Sequence, residues 1–321
     1  MRAVVYDRYG PPEVLRIADV AVPIPRAGEV LVRVVATSVN LSDWEGRHGS
    51  PAYARGGGLF APKRHILGSD IAGVVERVGD GVTRFRVGDA VYGDILTVMG
   101  GFAEYAVAPA SALALKPAAL TFAQASTLPQ SGAIALQAVA RAKPGERMLL
   151  NGAGGGTGAF ALQLAAASGV HVIGVDNAGK LDFMRALGAD EVIDYRTDDF
   201  TQHGPYDLIV DLVARRSVFA YRRALAPGGR YLIVGGIARA LLRVMTIGAL
   251  IGVMTGRRLG VLAVRTGPAH FEPLAERCVA GEVRIAIDKV FTLDEVPQAL
   301  RYVGTGQALG KVVIAIDPRF E

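Results

Sequence analysis

Short runs of β-branched and apolar residues, separated by turn signals, dominate the first third of the chain. The runs cover Ala3–Tyr6, Glu29–Ala36, Ile71–Val78 and Ala90–Tyr92, and turn sequences such as Gly79-Asp80-Gly81 separate them. The residues between these runs show no helical periodicity. Strands at this spacing predict a small, barrel-like β domain.

The pattern changes near Thr121, where a helical period of apolar residues begins and continues to Gly145. Beyond it, β-type runs alternate with helical segments. The predicted strands are Met148–Ala153, His171–Asp176, Glu191–Tyr195, Tyr206–Val213 and Arg230–Gly235. The predicted helices are Thr157–Ser168, Lys180–Leu187 and Ser217–Ala226. This alternation predicts a doubly wound parallel sheet.

The end of the chain mixes both kinds of element. A helix near Phe271–Ala280, a strand at Arg284–Phe291, a helix at Asp294–Tyr302 and a strand at Lys311–Ile316 are predicted. We expect them to return to the first domain. The apolar stretch before them, residues 237–264, predicts a buried helix followed by an edge strand, with a substrate tunnel or a protein interface as the alternative.

Composition excludes several classes of protein. The 321 residues are 51% hydrophobic and 20% charged, which excludes a disordered chain and suffices for two domains. The formal net charge is +5, but the basic residues are scattered or paired, as in Arg215-Arg216. A solvated basic surface is the favoured interpretation, so no nucleic-acid partner is expected, and RNA affinity is the alternative. With Cys278 as the one cysteine, neither a disulfide framework nor a cysteine-rich zinc site can form.

Two parts of the chain bear on targeting and membranes. The N-terminal residues lack an apolar core of signal-peptide length. The stretch from Ala238 to Met254 is interrupted by Arg239 and Arg243 and is too short to span a bilayer. We therefore expect a cytoplasmic enzyme without an integral membrane segment, with peripheral membrane contact of residues 237–264 as an alternative.

A glycine-rich loop between a predicted strand and a predicted helix is the strongest local signal for function. It runs through Gly152, Ala153, Gly154, Gly155, Gly156, Thr157 and Gly158. Small residues allow the backbone to turn sharply and to approach a pyrophosphate, while the last glycine lets the helix pack on the strand. The phosphates then lie at the positive helix N-terminus. This loop predicts dinucleotide binding.

Asp176 ends the strand that follows this loop. A carboxylate there can accept hydrogen bonds from the adenosine ribose hydroxyls and would repel a 2′-phosphate, which favours NADH. A helix-capping or turn aspartate is the alternative. Asn177 and Lys180 are close enough in sequence to receive a phosphate instead, so NADPH stays open.

Several stretches along the whole chain resemble the medium-chain dehydrogenase/reductase superfamily, in particular its quinone oxidoreductase branch, of which zeta-crystallin is typical. Their combination is specific, although no single stretch is. They are the glycine loop together with Val39-Asn40-Leu41-Ser42-Asp43, Leu67-Gly68-Ser69-Asp70-Ile71-Ala72-Gly73, Gly101-Phe102-Ala103-Glu104-Tyr105, Leu187-Gly188-Ala189-Asp190, Val192-Ile193-Asp194-Tyr195 and Gly310-Lys311-Val312-Val313.

The resemblance implies an α/β protein with a GroES-like β-barrel catalytic domain and an inserted Rossmann domain. We place the catalytic domain at residues 1–122 and 268–321, and the Rossmann domain at residues 123–267. A homodimer is expected from the general prevalence of symmetric dimers, and the family uses the region of residues 237–264 to cover the cleft and for dimer contacts.

The resemblance also bears on metal. Relatives that contain zinc hold it with two cysteines and a histidine, and the matching positions here are Asn40, Ser69 and Ser131, none of which is a good zinc ligand. The five histidines show no ligand spacing. We therefore expect no metal.

Four residues are implied in catalysis by their match to the family. Asn40 and Asp43 correspond to positions near the nicotinamide and substrate, with turn capping as the alternative. Ser42 lies where zinc relatives carry a proton-relay hydroxyl, although most members of this branch lack one. Tyr53 corresponds loosely to a tyrosine of the substrate pocket. Trp44 is either pocket wall or core.

Further residues are implied in cofactor binding besides Asn40 and the glycine loop. Tyr195 resembles a residue beside the adenosine, with packing as the alternative. Val213, Gly235 and Gly236 end predicted strands at the carboxyl edge of the sheet, where the nicotinamide should lie. Lys311 matches a family position near the phosphates, with a surface lysine as the alternative.

The resulting hypothesis is a zinc-independent enzyme that transfers a hydride from NADPH or NADH to a small quinone or α,β-unsaturated carbonyl. Resemblance favours NADPH, whereas Asp176 favours NADH. Without a metal the protein must polarise its substrate by hydrogen bonds, which suits acceptors that are already electrophilic. The alternatives are alcohol–aldehyde oxidoreduction and a non-enzymatic nucleotide-binding or RNA-binding protein.

Overall fold

The computed structural model of the chain describes residues 1–56, 58–236 and 238–317. Its contacts divide it into two units. The first unit is Met1–Ala133 with the described part of Arg265–Glu321, and the second unit is Ile134–Val264. The predicted boundaries at residues 122 and 268 lie several residues away from these divisions and stay a prediction.

Strands and helices alternate along the chain and are numbered here in chain order. The strands are β1 (Arg2–Val5), β2 (Arg16–Asp19), β3 (Glu29–Val39), β4 (Asp70–Val78), β5 (Ala90–Asp94), β6 (Tyr105–Pro109), β7 (Leu113–Leu115), β8 (Arg147–Asn151), β9 (His171–Asp176), β10 (Glu191–Asp194), β11 (Tyr206–Asp211), β12 (Leu225–Ile233), β13 (Arg258–Val261), β14 (Ile287–Thr292) and β15 (Lys311–Ala315). The α-helices are α1 (Leu41–His48), α2 (Phe122–Ser126), α3 (Pro129–Val139), α4 (Gly156–Ala167), α5 (Leu181–Ala186), α6 (Val218–Ala224), α7 (Ala238–Arg243), α8 (Ala249–Thr255), α9 (Glu272–Val279) and α10 (Val296–Gly304). A π-helical turn, Val244–Gly248, joins α7 to α8.

The first unit is built on a sheet with the strand order β14-β15-β3-β4-β5-β7, to which β6 is added beside β3. The long strand β3 is buried over most of its length because it has neighbours on both sides. The last strand, β15, runs antiparallel to β3, with Val312 opposite Val39. The start of β15 therefore lies beside the end of β3, which brings Lys311 next to Asn40.

The second unit is a six-stranded, wholly parallel sheet with the order β10-β9-β8-β11-β12-β13. Its central strands are apolar and buried, as in Leu149, Ile173 and Ile209, because helices cover both faces of parallel sheets. The order reverses between β8 and β11, and in doubly wound sheets ligands bind at the carboxyl ends of the strands at such a point. The predicted GroES-like and Rossmann α/β fold is confirmed.

The helix between β12 and β13 departs from prediction. The edge strand was predicted correctly as β13, but the helix before it is not buried: Val244, Gly248 and Ile251 are covered, while Val253 is 88% exposed and Met254 75%. The helix rests on the sheet edge by one narrow face, and most of its circumference packs against none of the residues that the structure describes. Over Ala238–Thr255 it is long and apolar enough to cross a membrane by length and composition alone, so the expectation that the stretch Ala238–Met254 is too short to span a bilayer is wrong as to length.

Candidate active site

Four polar side chains from separate parts of the first unit meet beside the end of β3. Asn40 caps α1, Ser69 precedes β4, Ser131 lies in the first turn of α3, and Lys311 begins β15. The ammonium of Lys311 donates to Oδ1 of Asn40 at 2.7 Å and to Oγ of Ser131 at 3.1 Å. Nδ2 of Asn40 donates to Oγ of Ser69 at 3.1 Å. These contacts bring together the three positions that match the zinc ligands of relatives, with an ammonium bonded to two of them.

Asp70 supplies the negative charge of this cluster. Its carboxylate is fully buried and accepts from Nδ2 of Asn40 at 2.8 Å and from the backbone N–H of Gln130 at 3.1 Å. The Lys311 nitrogen lies 3.9 Å from Oδ2 of Asp70. Burial raises the pKa of Asp70, and the Lys311 charge opposes that rise. Burial likewise lowers the pKa of Lys311, and Asp70 opposes that fall. The surface-lysine alternative for Lys311 is therefore wrong.

Ser42 and Gln130 extend the cluster to half-buried positions. The Ser42 hydroxyl donates to Oε1 of Gln130 at 3.0 Å, and its oxygen lies 3.4 Å from that of Ser69. Nε2 of Gln130 is buried and has no hydrogen-bond partner among the described residues. An unmet buried amide donor costs about 1–3 kcal/mol, so a ligand oxygen is its natural complement. Neither Gln130 nor Asp70 was singled out from the sequence.

Asp43 acts as a cap. Its carboxylate accepts the backbone N–H of Asn40 at 2.8 Å and that of Gly68 at 3.1 Å, which ties the start of α1 to the loop before β4. Burial raises the pKa of Asp43 to about 7, although both backbone bonds lower it. The capping alternative is what the contacts support. Asp43 is thus a positioning residue for Asn40, and contact with the nicotinamide stays a prediction.

Tyr53 and Trp44 lie on other parts of the same unit. Tyr53 is on the 3₁₀ turn Ala52–Arg55 with 51% of its surface exposed, and its pocket role stays a prediction. Trp44 is half-buried on α1 and packs against the apolar cluster beneath α10, where a Cβ at Gly304 would lie 2.1 Å from its ring. For Trp44 the contacts favour core over pocket wall.

The glycine loop of the second unit connects β8 to α4, as predicted. Gly152 has a φ of 89°, which favours glycine, and a Cβ at Gly158 would lie 2.4 Å from the carbonyl oxygens of Gly152 and Ala153. Packing is therefore sufficient to explain why residue 158 is a glycine. At Gly155 the nearest atom to a Cβ would be 3.5 Å away, so packing leaves that glycine unexplained. The half-buried backbone of Gly155, Gly156 and Thr157 forms the N-terminal turn of α4, which suits a diphosphate.

Asp176 and Lys180 form a buried ion pair beside this loop. The Lys180 nitrogen lies 3.4 Å from Oδ2 of Asp176, and the backbone N–H of Gly154 donates to the same oxygen at 3.1 Å. Oδ1 of Asp176 accepts from the backbone and side chain of Asn177. Asp176 therefore holds the loop in shape, and Lys180 balances its charge. Tyr195 follows β10, is 40% exposed, and has its backbone N–H on the carbonyl oxygen of Asp176.

The carboxyl ends of β11 and β12 carry the remaining predicted positions. Val213 is 40% exposed, and Gly235 and Gly236 have φ values of 70° and 105° in the turn after β12. A buried carboxylate that was not predicted, Asp211, organises this edge. It accepts from Asn151 and Tyr231 side chains and from the backbone N–H groups of Val213 and Ala214.

Comparisons with known proteins show which family has this architecture. The alcohol dehydrogenase GroES-like domain family matches residues 26–118, and the zinc-binding dehydrogenase family matches residues 187–314. The chain is 30% identical to "Quinone-oxidoreductase QR1, chloroplastic" from Triphysaria versicolor over 98% of both chains. It belongs to the medium-chain dehydrogenase/reductase superfamily, in the quinone oxidoreductase branch.

Two further relatives bear on this medium-chain oxidoreductase. It is 31% identical to the "2-methylene-furan-3-one reductase" of Solanum lycopersicum over 98% of this chain and 79% of that one. The quinone oxidoreductase structure from Coxiella burnetii superposes with a TM-score of 0.90 at 30% identity, over 98% of this chain and 99% of that chain. The resemblance inferred from the sequence motifs is confirmed.

The side chains at this site can be compared with those that zinc requires, since one matching family is described as a zinc-binding dehydrogenase. Zinc in proteins is held by cysteine, histidine or carboxylate groups. In this oxidoreductase the matching positions offer an amide and two hydroxyls, and the Lys311 ammonium bonds to two of the three. The described residues contain no group of three or more histidine, cysteine, aspartate or glutamate residues that could hold a metal ion. The donor set does not fit zinc.

Proposed function

We propose that the chain reduces quinones or α,β-unsaturated carbonyl compounds by hydride transfer from a reduced nicotinamide dinucleotide, without zinc. The observation that carries the proposal is the Lys311 ammonium, 2.7 Å from Oδ1 of Asn40 and 3.1 Å from Oγ of Ser131. A fixed buried cation at the positions of the zinc ligands supplies positive charge to the cluster. The reductase names of the two sequence relatives support the substrate class.

The second unit has the features needed to hold the dinucleotide. The backbone of Gly155, Gly156 and Thr157 would bind the diphosphate at the start of α4. Tyr195 and the Asp176–Lys180 pair would bind the adenosine ribose, and Val213 with Gly235 would line the carboxyl edge of the sheet. When bound, the reduced nicotinamide supplies the hydride.

The first unit would polarise the substrate through a chain of hydrogen bonds that begins at a charge. Lys311 donates to Asn40, which donates to Ser69, and Ser42 donates to Gln130. The Ser69–Ser42 contact, at 3.4 Å, closes the chain if Ser69 is its donor. Bonds aligned in one direction strengthen one another in a low dielectric.

Gln130 stands at the outer end of this chain. We assign its unpartnered Nε2 the task of donating to a substrate carbonyl or quinone oxygen, where negative charge develops. The Ser42 hydroxyl donates a hydrogen bond to Oε1 of the same amide, and this bond orients Nε2 away from Ser42. Activation of an alcohol would need a group that favours its ionised form, and an amide donor is weaker in that role than zinc.

The cofactor choice follows from the charge balance at Asp176. Alone, its carboxylate would repel the 2′-phosphate of NADPH, but Lys180 lies 3.4 Å away and neutralises it. We infer that the chain uses both NADPH and NADH, with affinities that differ by less than about tenfold, or 1.4 kcal/mol.

The experiment is a steady-state assay on protein freed of metal with a chelator and checked by mass spectrometry. NADPH and NADH oxidation is followed with 9,10-phenanthrenequinone and with an alkenal, and the reduction of NADP+ and NAD+ is followed with a primary alcohol. The proposal expects quinone or alkenal reduction in the metal-free protein and no gain on adding zinc. Activity that appears only with zinc, or alcohol oxidation that exceeds quinone reduction, contradicts it. Salt-sensitive RNA binding without turnover would instead support the non-enzymatic alternative.

A further inference from the structure

Asp211, the last residue of β11, is a fully buried carboxylate that bonds to the turn after its own strand. Its Oδ1 accepts the backbone N–H groups of Val213 at 3.0 Å and of Ala214 at 2.8 Å. The same oxygen accepts from Nδ2 of Asn151 at 2.8 Å, and Oδ2 accepts from the hydroxyl of Tyr231 at 3.0 Å. These donors are neutral, and no lysine, arginine or histidine of the described residues forms an ion pair with the carboxylate. Asp211 therefore serves this edge of the sheet as a hydrogen-bond acceptor.

The turn that receives these bonds, residues 212–214, is called the β11 turn here, and its backbone needs this support. Ala214 has a φ of 56°, in the left-handed region that residues with a Cβ seldom adopt. Such a conformation persists only where the surrounding contacts fix it. The bond from the backbone N–H of Ala214 to Asp211 is such a contact. Without the carboxylate oxygen, the β11 turn should relax towards a more common conformation.

The β11 turn lies between two other turns at the carboxyl edge of the same sheet. A Cβ at Gly152, at the start of the glycine loop after β8, would lie 3.1 Å from Cγ2 of Val213. A Cβ at Gly236, in the turn after β12, would lie 3.1 Å from that of Ala214. The β11 turn therefore touches both neighbours, and its relaxation would change the spacing between the glycine loop and the turn after β12.

We propose that Asp211 is a positioning residue for the nicotinamide dinucleotide and that it acts through the β11 turn. The inference rests on the proposed function, in which the diphosphate binds at the glycine loop and Val213 with Gly235 lines the edge where the nicotinamide binds. The β11 turn connects these two regions, so Asp211 holds the nicotinamide half of the cofactor in place relative to the diphosphate. A misplacement of about 1 Å can slow a reaction about a hundredfold, which is why this support matters for hydride transfer.

Replacements of the carboxyl group distinguish placement of the cofactor from its binding. In Asp211→Ala the β11 turn loses its bonds to the carboxylate. In Asp211→Asn an amide oxygen can still accept them, and the hydroxyl oxygen of Tyr231 can accept from the new amide N–H. The matched control is Asp207→Ala, which removes a half-buried aspartate at the opposite end of β11, where it accepts the backbone N–H of Arg147. Thermal unfolding measures the stability of each variant.

Two of the measurements need no substrate. Calorimetry gives the dissociation constants of NADPH and of 2′-phospho-ADP-ribose, which lacks the nicotinamide, and the fluorescence lifetime of bound NADPH reports how firmly the reduced ring is held. In Asp211→Ala the affinity for NADPH should fall about tenfold, while that for the fragment stays within about twofold. The lifetime should shorten, and single-turnover reduction of 9,10-phenanthrenequinone should slow about a hundredfold. Asp211→Asn and Asp207→Ala should resemble the parent chain in every measurement.

Several outcomes would overturn the inference and leave the proposed function intact. They are equal losses of affinity for NADPH and for the fragment in Asp211→Ala, an unchanged lifetime and rate in that variant, and an Asp211→Asn variant as impaired as Asp211→Ala. A parent chain that binds no NADPH would instead contradict the proposed function and the inference together. If Asp211→Ala does not fold, Asp211→Leu with Tyr231→Phe replaces it, because this pair fills the space and removes a donor that would lack its acceptor. The same results are expected from it, and Tyr231→Phe alone should match the parent chain.

Discussion

The ammonium nitrogen of Lys311 lies 2.7 Å from Oδ1 of Asn40, although 271 residues separate them in the chain. Both residues stand at strand ends that the antiparallel pairing of β15 with β3 brings together. Because burial disfavours an isolated charge, the ion pair with Asp70 and the bonds to Asn40 and Ser131 must stabilise this ammonium.

This arrangement makes Lys311→Met the first prediction. Loss of the charge that begins the hydrogen-bond chain should lower kcat/KM for quinone reduction about a hundredfold, while cofactor affinity, measured by fluorescence titration, changes little. Lys289→Met, which alters an exposed lysine on the neighbouring strand β14, should leave both unchanged.

A loss of activity in Lys311→Met must be distinguished from a loss of stability, because the variant leaves Asp70 as a buried unpaired charge. The double variant Lys311→Met with Asp70→Asn removes both charges and should recover thermal stability without recovering activity. Recovery of activity in the double variant would show that Lys311 matters for folding alone.

The two glycines of the cofactor loop should respond differently to alanine. Gly158→Ala places a Cβ 2.4 Å from two carbonyl oxygens and should destabilise the fold by about 1–3 kcal/mol. Gly155→Ala meets its nearest atom at 3.5 Å, so the melting temperature should hold while affinity for NADPH falls at least about tenfold, or 1.4 kcal/mol.

A glycine with free space serves as the control for both loop variants. Gly260, in β13, has nothing within 4 Å of an added Cβ, so Gly260→Ala should affect neither stability nor cofactor affinity. If Gly155→Ala binds NADPH normally, the phosphates do not lie against that turn. Calorimetry and cofactor titration on the three variants distinguish these outcomes.

The Asp176–Lys180 pair predicts opposite shifts in cofactor preference. Asp176→Asn leaves the lysine unpaired and should move the ratio of kcat/KM values towards NADPH, by roughly tenfold. Lys180→Met uncovers the carboxylate and should move the same ratio towards NADH. Steady-state kinetics with both cofactors measure the ratio, and parallel losses for both cofactors would mean that the pair only shapes the loop.

Stability should fall as pH rises from about 4 to 7, in part because of Asp43. In the unfolded chain an aspartate releases its proton near pH 4, whereas burial holds the pKa of Asp43 at about 7 in the folded chain. The folded state then binds more protons than the unfolded state over this range. Protonated Asp43 therefore favours the folded chain at low pH, and this contribution to the free energy of unfolding, a few kcal/mol at most, is lost as pH rises.

Asp43→Asn tests this pH dependence, since an amide keeps a capping oxygen and cannot ionise. Its melting temperature should vary less between pH 5 and pH 8, a range chosen around that pKa of about 7, than that of the parent chain. The exposed Asp80→Asn should keep the parent's slope. Identical slopes in all three proteins would rule out Asp43 as a source of the dependence.

Local sequence was sufficient for the elements that form from nearest neighbours. The parallel sheet followed from apolar runs alternating with helical segments, and the cofactor loop followed from small residues at fixed offsets between β8 and α4. Both depend on backbone geometry that a few consecutive residues impose. Short strands such as β2, β6 and β7 were not predicted, because their few residues form strands only when a neighbour is present to pair with them.

By itself the sequence determined the superfamily, the two kinds of domain and the absence of good zinc ligands at Asn40, Ser69 and Ser131. Tertiary structure alone decided that Lys311 is buried against those residues, that Lys180 neutralises Asp176, and that the helix of residues 238–255 is largely exposed. The physical reason is range: turn geometry and periodicity act over a few residues, whereas desolvation and charge pairing depend on whatever the fold brings alongside.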